Sequence, residues 1–207
     1  MYALVLVVLA AVRWWNHRGP ARLQPVTGPL FAAGLLALGA AAGLSRTELG
    51  LGGSSATSAW FAAGAVAVVA LGYGVALLVP AGRRAFLDPR HRVPLGRALR
   101  TALIGVPLAT VVFEEIAFRG VLWGLLPGDL VATAVTAVLF GLWHLPRLRD
   151  VLVTTLAGVV LGLLRDAGGN VLAPIALHWA ANGLGVIVSA LLWAYRNGET
   201  LRKPDVA

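Results

Sequence analysis

The chain has 207 residues, of which 58% are hydrophobic and 13% charged, and its mean hydropathy is +0.81. A soluble domain carries about 25% charged residues, so the composition excludes an ordinary soluble fold and predicts an all-α, polytopic transmembrane helix bundle. No ten-residue alternation suggests a membrane β-barrel, and the lack of cysteine excludes disulfides, thiolate metal sites and a cysteine nucleophile. The net charge of +8 falls in short segments between apolar runs, which fits the positive-inside rule rather than nucleic-acid binding. Sixteen of the 17 basic residues are arginine, a bias that points to a GC-rich bacterial genome and says nothing of mechanism.

Seven apolar runs follow one another, and seven spans are expected. The first, Tyr2 to Val12, is short for a bilayer that needs about 20 helical residues. Its positive charges, Arg13 and Arg18, come after it, the wrong order for a signal peptide. It reads as a short helix entering from outside, with Trp14 and Trp15 at the interface. The second span is expected from about Pro29 to Leu44 and the third from Ala59 to Val79; Gly39 and Gly43 form a small-xxx-small pair for close helix packing. The loop from Pro80 to Arg100 is strongly basic and suited to anionic head groups. His17 and His91 lie in polar loops and read as solvated surface.

The fourth run, Leu99 to Leu126, carries Glu114, Glu115 and Arg119 where hydrocarbon is expected. Leu126-Pro127-Gly128-Asp129 is a turn. A fifth span runs from Leu130 to about Leu145 and stops at Pro146; a sixth from Val151 to Leu164 has Gly158 and Gly162 in GxxxG spacing. The loop Arg165 to Asn170 leads to a last span, Val171 to Tyr195, with Trp193 and Tyr195 as an exit belt. With alternating spans and the N-terminus outside, the inner segments 13–28, 80–100, 145–150 and 196–207 carry +3, +5, +1 and +1. The outer segments carry 0, −1 and 0. That asymmetry selects an N-out, C-in topology.

Insertion scales charge roughly 2.5–3.5 kcal/mol for an Asp, Lys or Arg at the centre of a spanning helix. Such groups must be compensated, and they mark function by default. Glu115 and Arg119 are i,i+4 and share a helix face, so they can pair; Glu114 points about 100° away and is left for another role. A purely structural ion-pair cluster is the competing reading. Further along, His144 stands at the inner end of the fifth span with Phe140 at i−4 behind it, and His178 is followed at i+4 by Asn182. A carboxylate, two imidazoles and an amide supply what peptide hydrolysis needs, namely a base for water and donors for an oxyanion. No serine arrangement competes, since Ser189 has no nucleophile-elbow context, and the late-span threonines (Thr133, Thr136, Thr154, Thr155) read as packing or back-bonding groups.

Glu114-Glu115-x-x-x-Arg119, Phe140-x-x-x-His144 and His178-x-x-x-Asn182, in this order on successive helices, resemble the CAAX prenyl protease and bacteriocin-processing family (CPBP, also called Abi). These are intramembrane endopeptidases. The resemblance covers about Leu99 to Val186 and implies a catalytic core at 99–186 within one membrane domain, 1–207. Residues 1–98 are N-terminal helices without an assigned role. The resemblance also implies that Glu114 activates the attacking water, aided by His144. His178 and Asn182 would stabilise the oxyanion, and Glu115 with Arg119 would form the supporting ion pair. The family has been called metalloprotease; HExxH is absent here. Glu114, His144 and His178 can form a zinc site of two imidazoles and one carboxylate, and a metal-free glutamate and histidine mechanism is equally open. The expected partners are a peptide or membrane-protein substrate and the lipid bilayer, with no nucleic acid, and the expected place is a bacterial cytoplasmic membrane. Two rivals stand beside this: a non-catalytic immunity or scaffold protein on the same fold, and a small proton-coupled transporter, for which no inverted repeat is seen.

Overall fold

The computed structural model describes residues 1–53, 55–87, 89 and 92–197. All seven apolar runs are helical, and no strand occurs among the described residues. The helices are α1 (Tyr2–Arg18), α2 (Gln24–Ala41), α3 (Ser55–Leu78), the short α4 (Pro80–Phe86), α5 (Leu95–Leu125), α6 (Asp129–Trp143), α7 (Leu148–Gly168) and α8 (Leu172–Arg196). Five of them, α2 (with the turn before it), α3, α5, α7 and α8, are long and apolar enough to cross a membrane by length and composition. The other two of the seven runs, α1 and α6, are shorter.

Most helices outrun their apolar stretches, because a helix continues through polar residues at the interface that hydropathy assigns to loops. α2 begins at Gln24, so the expected start at Pro29 is corrected: Pro29 lies inside the helix. The expected loop at Arg165 is corrected likewise, for α7 runs on to Gly168 and ends on Gly169 in the left-handed region. His17 belongs to the last turn of α1 and not to a loop; His91 lies outside the described residues. The Gly39/Gly43 pair is also corrected. Gly39 does pack closely, since a Cβ there would come within 2.7 Å of Leu49. Gly43 stands beyond the end of α2 with φ +89°, where its freedom serves the turn and not helix contact.

α5 is the axis of the bundle. From Phe113 to Trp123 every residue is buried, as expected of a helix surrounded by others. Its course includes wide π-helical turns at Thr101–Gly105, Pro107–Val111 and Ile116–Leu122, a distortion often found at functional sites. α6 and α7 pack tightly beside it. A Cβ on Gly158 would lie 2.9 Å from Ala137 Cα, and one on Gly162 would lie 2.8 Å from the Thr133 methyl, so the GxxxG reading holds here. Thr133, Thr136 and Thr154 each donate to the carbonyl four residues back, which satisfies their hydroxyls inside the bundle.

The length of α6 sets the depth at which it ends. Fifteen residues span about 22 Å, less than the roughly 30 Å of a hydrocarbon core. Measured from the turn that joins α5 to α6, Glu114 lies about 17 Å back along α5, and Trp143 about 21 Å along α6. The short helix therefore stops near the level of Glu114.

Candidate active site

Glu115 is fully buried and accepts two bonds on one oxygen. Arg119 Nη1 donates to Oε1 at 3.4 Å, and His178 Nδ1–H donates to the same atom at 2.7 Å. The i,i+4 pair expected on α5 is therefore present, as an ion pair rather than a tight hydrogen bond. Arg119 is itself fully buried; its Nη2 donates to the Gly158 carbonyl at 3.1 Å, and its guanidinium lies 4.5 Å from the Phe140 ring centroid. A charge held this way is compensated by an acid, a carbonyl and a π face.

Glu114, 5% exposed, points elsewhere. Its Oε1 accepts the Trp143 indole N–H at 3.0 Å. Its Oε2 is buried without a protein hydrogen-bond partner and stands 3.9 Å from His178 Nε2. Because His178 commits Nδ1–H to Glu115, its Nε2 is the nitrogen that faces Glu114. His144 caps the end of α6 and gives Nδ1–H to the Phe140 carbonyl at 2.8 Å, since a carbonyl can only accept. Its Nε2 is thereby left as the lone-pair nitrogen of the neutral ring. Phe140 packs edge-on against both imidazoles, with centroids 4.8 Å from His144 and 5.7 Å from His178.

Glu114, Trp143 and His144 line a hollow of about 510 Å³ together with Arg13, His17 and Thr110. Its remaining lining comes from the ends of α1, α2 and α7 and the loop after α6, so most of its lining residues are polar, and it faces basic flanking segments. His178 reaches this group through Glu114. Asn182 does not line it: it is exposed and borders a second hollow of about 380 Å³ with Val106 and the buried Ser189. The wide turn Ala180–Leu184 separates its carboxamide from the His178 register. Among the described residues no group of three or more His, Cys, Asp or Glu side chains is gathered to hold a metal ion. Both imidazoles give Nδ1–H to protein acceptors, which leaves each Nε2 free as a ligand atom, but Glu114, His144 and His178 are not gathered around one point and do not form a zinc centre as placed. The chemistry is accordingly derived from side chains alone.

Sequence reasoning misses two participants. Trp143 occupies no motif position, although a half-buried indole next to a candidate histidine is a donor in need of an acceptor. Arg165 reads as a loop residue in the sequence. It is buried, and its Nε donates to the Arg119 carbonyl at 3.0 Å while Nη2 donates to Thr47 at 2.9 Å and Glu48 at 3.3 Å. It ties the wide turn carrying Arg119 to the segment after α2. An arginine at the end of an otherwise apolar helix is the available signal.

A family model described as type II CAAX prenyl endopeptidase Rce1-like matches residues 97–184. That is less than half of the chain, but it contains Glu114, Glu115, Arg119, His144, His178 and Asn182. No curated protein and no solved structure gives a significant match. With its apolar helices, the chain is an integral membrane protein, and its residues 97–184 are similar to the Rce1-like family of type II CAAX prenyl endopeptidases.

Proposed function

We propose that this protein is an intramembrane endopeptidase in which Glu114 activates a water molecule to cleave a peptide bond. The observation that carries the reading is that Glu114 lines a polar hollow with His144, while its Oε2 is buried without a protein partner 3.9 Å from His178 Nε2. In this reading, water enters the hollow and loses a proton to Oε2 as its oxygen attacks the carbonyl carbon. His178, with Nε2 protonated, donates to the developing oxyanion. In that state Glu114, Glu115, Arg119 and His178 together carry no net charge, which suits a buried group. Collapse breaks the C–N bond, and the proton passes to the leaving amine from Glu114, with His144 Nε2 able to relay it. Asn182 serves in this reading as a second oxyanion donor, which requires its carboxamide to move from the neighbouring hollow toward His178. The Glu115–Arg119 pair fixes the His178 ring by holding the acceptor of Nδ1–H.

The substrate is a peptide or membrane protein that enters from the basic, inner side of a bacterial cytoplasmic membrane, because Arg13, His17 and Arg147 surround the hollow. Residues 99–186 form the catalytic core, and 1–98 complete its walls. A purified preparation in proteoliposomes, given quenched-fluorescence peptides, tests the roles of the imidazoles. His144→Ala and His178→Asn are expected to lose at least about 100-fold in cleavage rate, within the range of general acid–base contributions. His144→Ala should melt near the wild-type temperature, whereas His178→Asn, which removes a donor to the buried Glu115, should also lower it. Wild-type cleavage by both variants would contradict the assignment.

A further inference from the structure

Resting on the reading of Glu114 as the base, we propose that Trp143 is a positioning residue of the hydrolytic site. Its indole N–H fixes one carboxylate oxygen of Glu114, and the other is thereby reserved for water.

A glutamate side chain has three rotatable bonds, and in a wet hollow either oxygen can face the substrate. Here one oxygen is taken. Trp143 Nε1–H reaches Oε1 at 3.0 Å, leaving Oε2 as the atom without a protein partner, 3.9 Å from His178 Nε2. A hydrogen bond from a neutral donor to a carboxylate is a charge-assisted one and fixes direction as well as energy. The donor is itself immobilised. The Trp143 ring packs against Phe113 and Phe118, with centroids 6.0 and 5.9 Å away, and the Arg13 guanidinium lies 5.9 Å from its centroid. Arg13 Nη2 also donates to the Leu145 carbonyl at 2.7 Å, so α1 pins the segment on both sides of His144. Phe113 neighbours Glu114 in the chain, so the indole is held by the same helix turn whose carboxylate it orients.

The placement comes from the end of α6. Within a continuing helix, residues 143 and 144 would diverge by about 100°. The helix stops at Trp143, and His144 leaves it with φ −97° and ψ 11°. Two consecutive side chains thereby line one hollow, one orienting the base and the other offering a free imidazole nitrogen. The N-terminal helix gains a role as well: Arg13 lies outside the segment matched by the family and braces the indole from the far side.

The test separates the N–H from the ring. Replacing Trp143 by 3-benzothienylalanine keeps shape and packing but removes the donor; Trp143→Phe removes the donor and part of the ring. Both are assayed in full-length protein with a quenched peptide, beside wild type and Glu114→Gln. The expected result for the sulfur isostere is an unchanged melting temperature and KM. Its kcat should fall roughly 10- to 100-fold, the worth of one hydrogen bond to a charged group, and the acid limb of its pH–rate profile should move relative to wild type. An isostere with wild-type kcat and pH profile, where Glu114→Gln is inactive, overturns the proposal and leaves Glu114 as base. Glu114→Gln cleaving at the wild-type rate overturns both.

Discussion

Two adjacent glutamates on α5 take opposite roles because about 100° of helix rotation separates them. Each has one oxygen without a protein partner, but Glu115 faces inward to Arg119 and His178 and is held by both, whereas Glu114 lines the hollow. The sequence contains that division: the i,i+4 spacing selects Glu115 as the partner of Arg119 and frees Glu114. It cannot contain the bond from His178 to Glu115, because 63 residues separate them and only the packing of α8 on α5 brings them together. Removing the cation tests the arrangement. Arg119→Met would leave a buried acid and imidazole without their counter-charge, at a cost of about 3–5 kcal/mol. Thermal or denaturant unfolding in mild detergent should register it, and a variant as stable as wild type would show the pair to be dispensable. Chelation offers a second check at this scale. Because Glu114, His144 and His178 do not gather as ligands, treatment with 1,10-phenanthroline is expected to leave cleavage unchanged. A loss that zinc restores would require the imidazoles to rearrange into a metal site.

At the level of elements, the site depends on how closely α6 and α7 approach each other and α5. Gly158 serves twice: it has no side chain where Ala137 backbone passes, and its carbonyl receives Arg119 Nη2. Gly158→Val should therefore separate the helices, cost about 1–3 kcal/mol as overpacking does, and lower cleavage by disturbing Arg119. Gly64→Val on α3, where a Cβ would meet nothing within 4 Å, is the matched control and should lower neither stability nor rate. Equal effects of the two changes would contradict the packing account. The GxxxG spacing announces this contact, whereas Gly39-xxx-Gly43 announces one that only Gly39 makes. The difference is physical: a motif of small residues permits approach but does not say where its helix ends. Hydropathy yields the number and order of helices for the same reason that it misplaces their ends. Apolar length tracks the bilayer, while hydrogen bonding carries a helix on into polar flanks, as it carries α7 past Arg165.

Across the whole molecule, a short α6 beside a long α5 leaves a recess at the level of Glu114, and segments that carry positive charge surround it. On the proposed N-out, C-in topology, the positive-inside rule would direct that recess toward the cytoplasm. The natural chain has no cysteine, so single cysteines can be introduced without background. A cysteine at Arg22 is expected to react with a membrane-impermeant maleimide only after inside-out vesicles are made, and one at Ser45 only in intact cells. The reverse pattern would invert the topology and move the recess to the outer face. The ordered motifs lead one to expect α5, α6 and α8 to meet; Glu114 and His178 do come together, whereas Asn182 of the third motif stands at a separate hollow. The part taken by α1 is not inferable, since no motif covers it and its contacts, Arg13 with Trp143 and with the Leu145 carbonyl, are tertiary.

The role of Glu114 is decided by the single-turnover cleavage rate of Glu114→Gln against wild type, with equal amounts of folded protein in the same lipid. The amide keeps the size of the side chain and its hydrogen bond from Trp143, but it cannot take a proton from water. Cleavage should be lost while melting temperature and peptide binding are retained. A Glu114→Gln protein that cuts its substrate at the wild-type rate would contradict the assignment of Glu114 as the base.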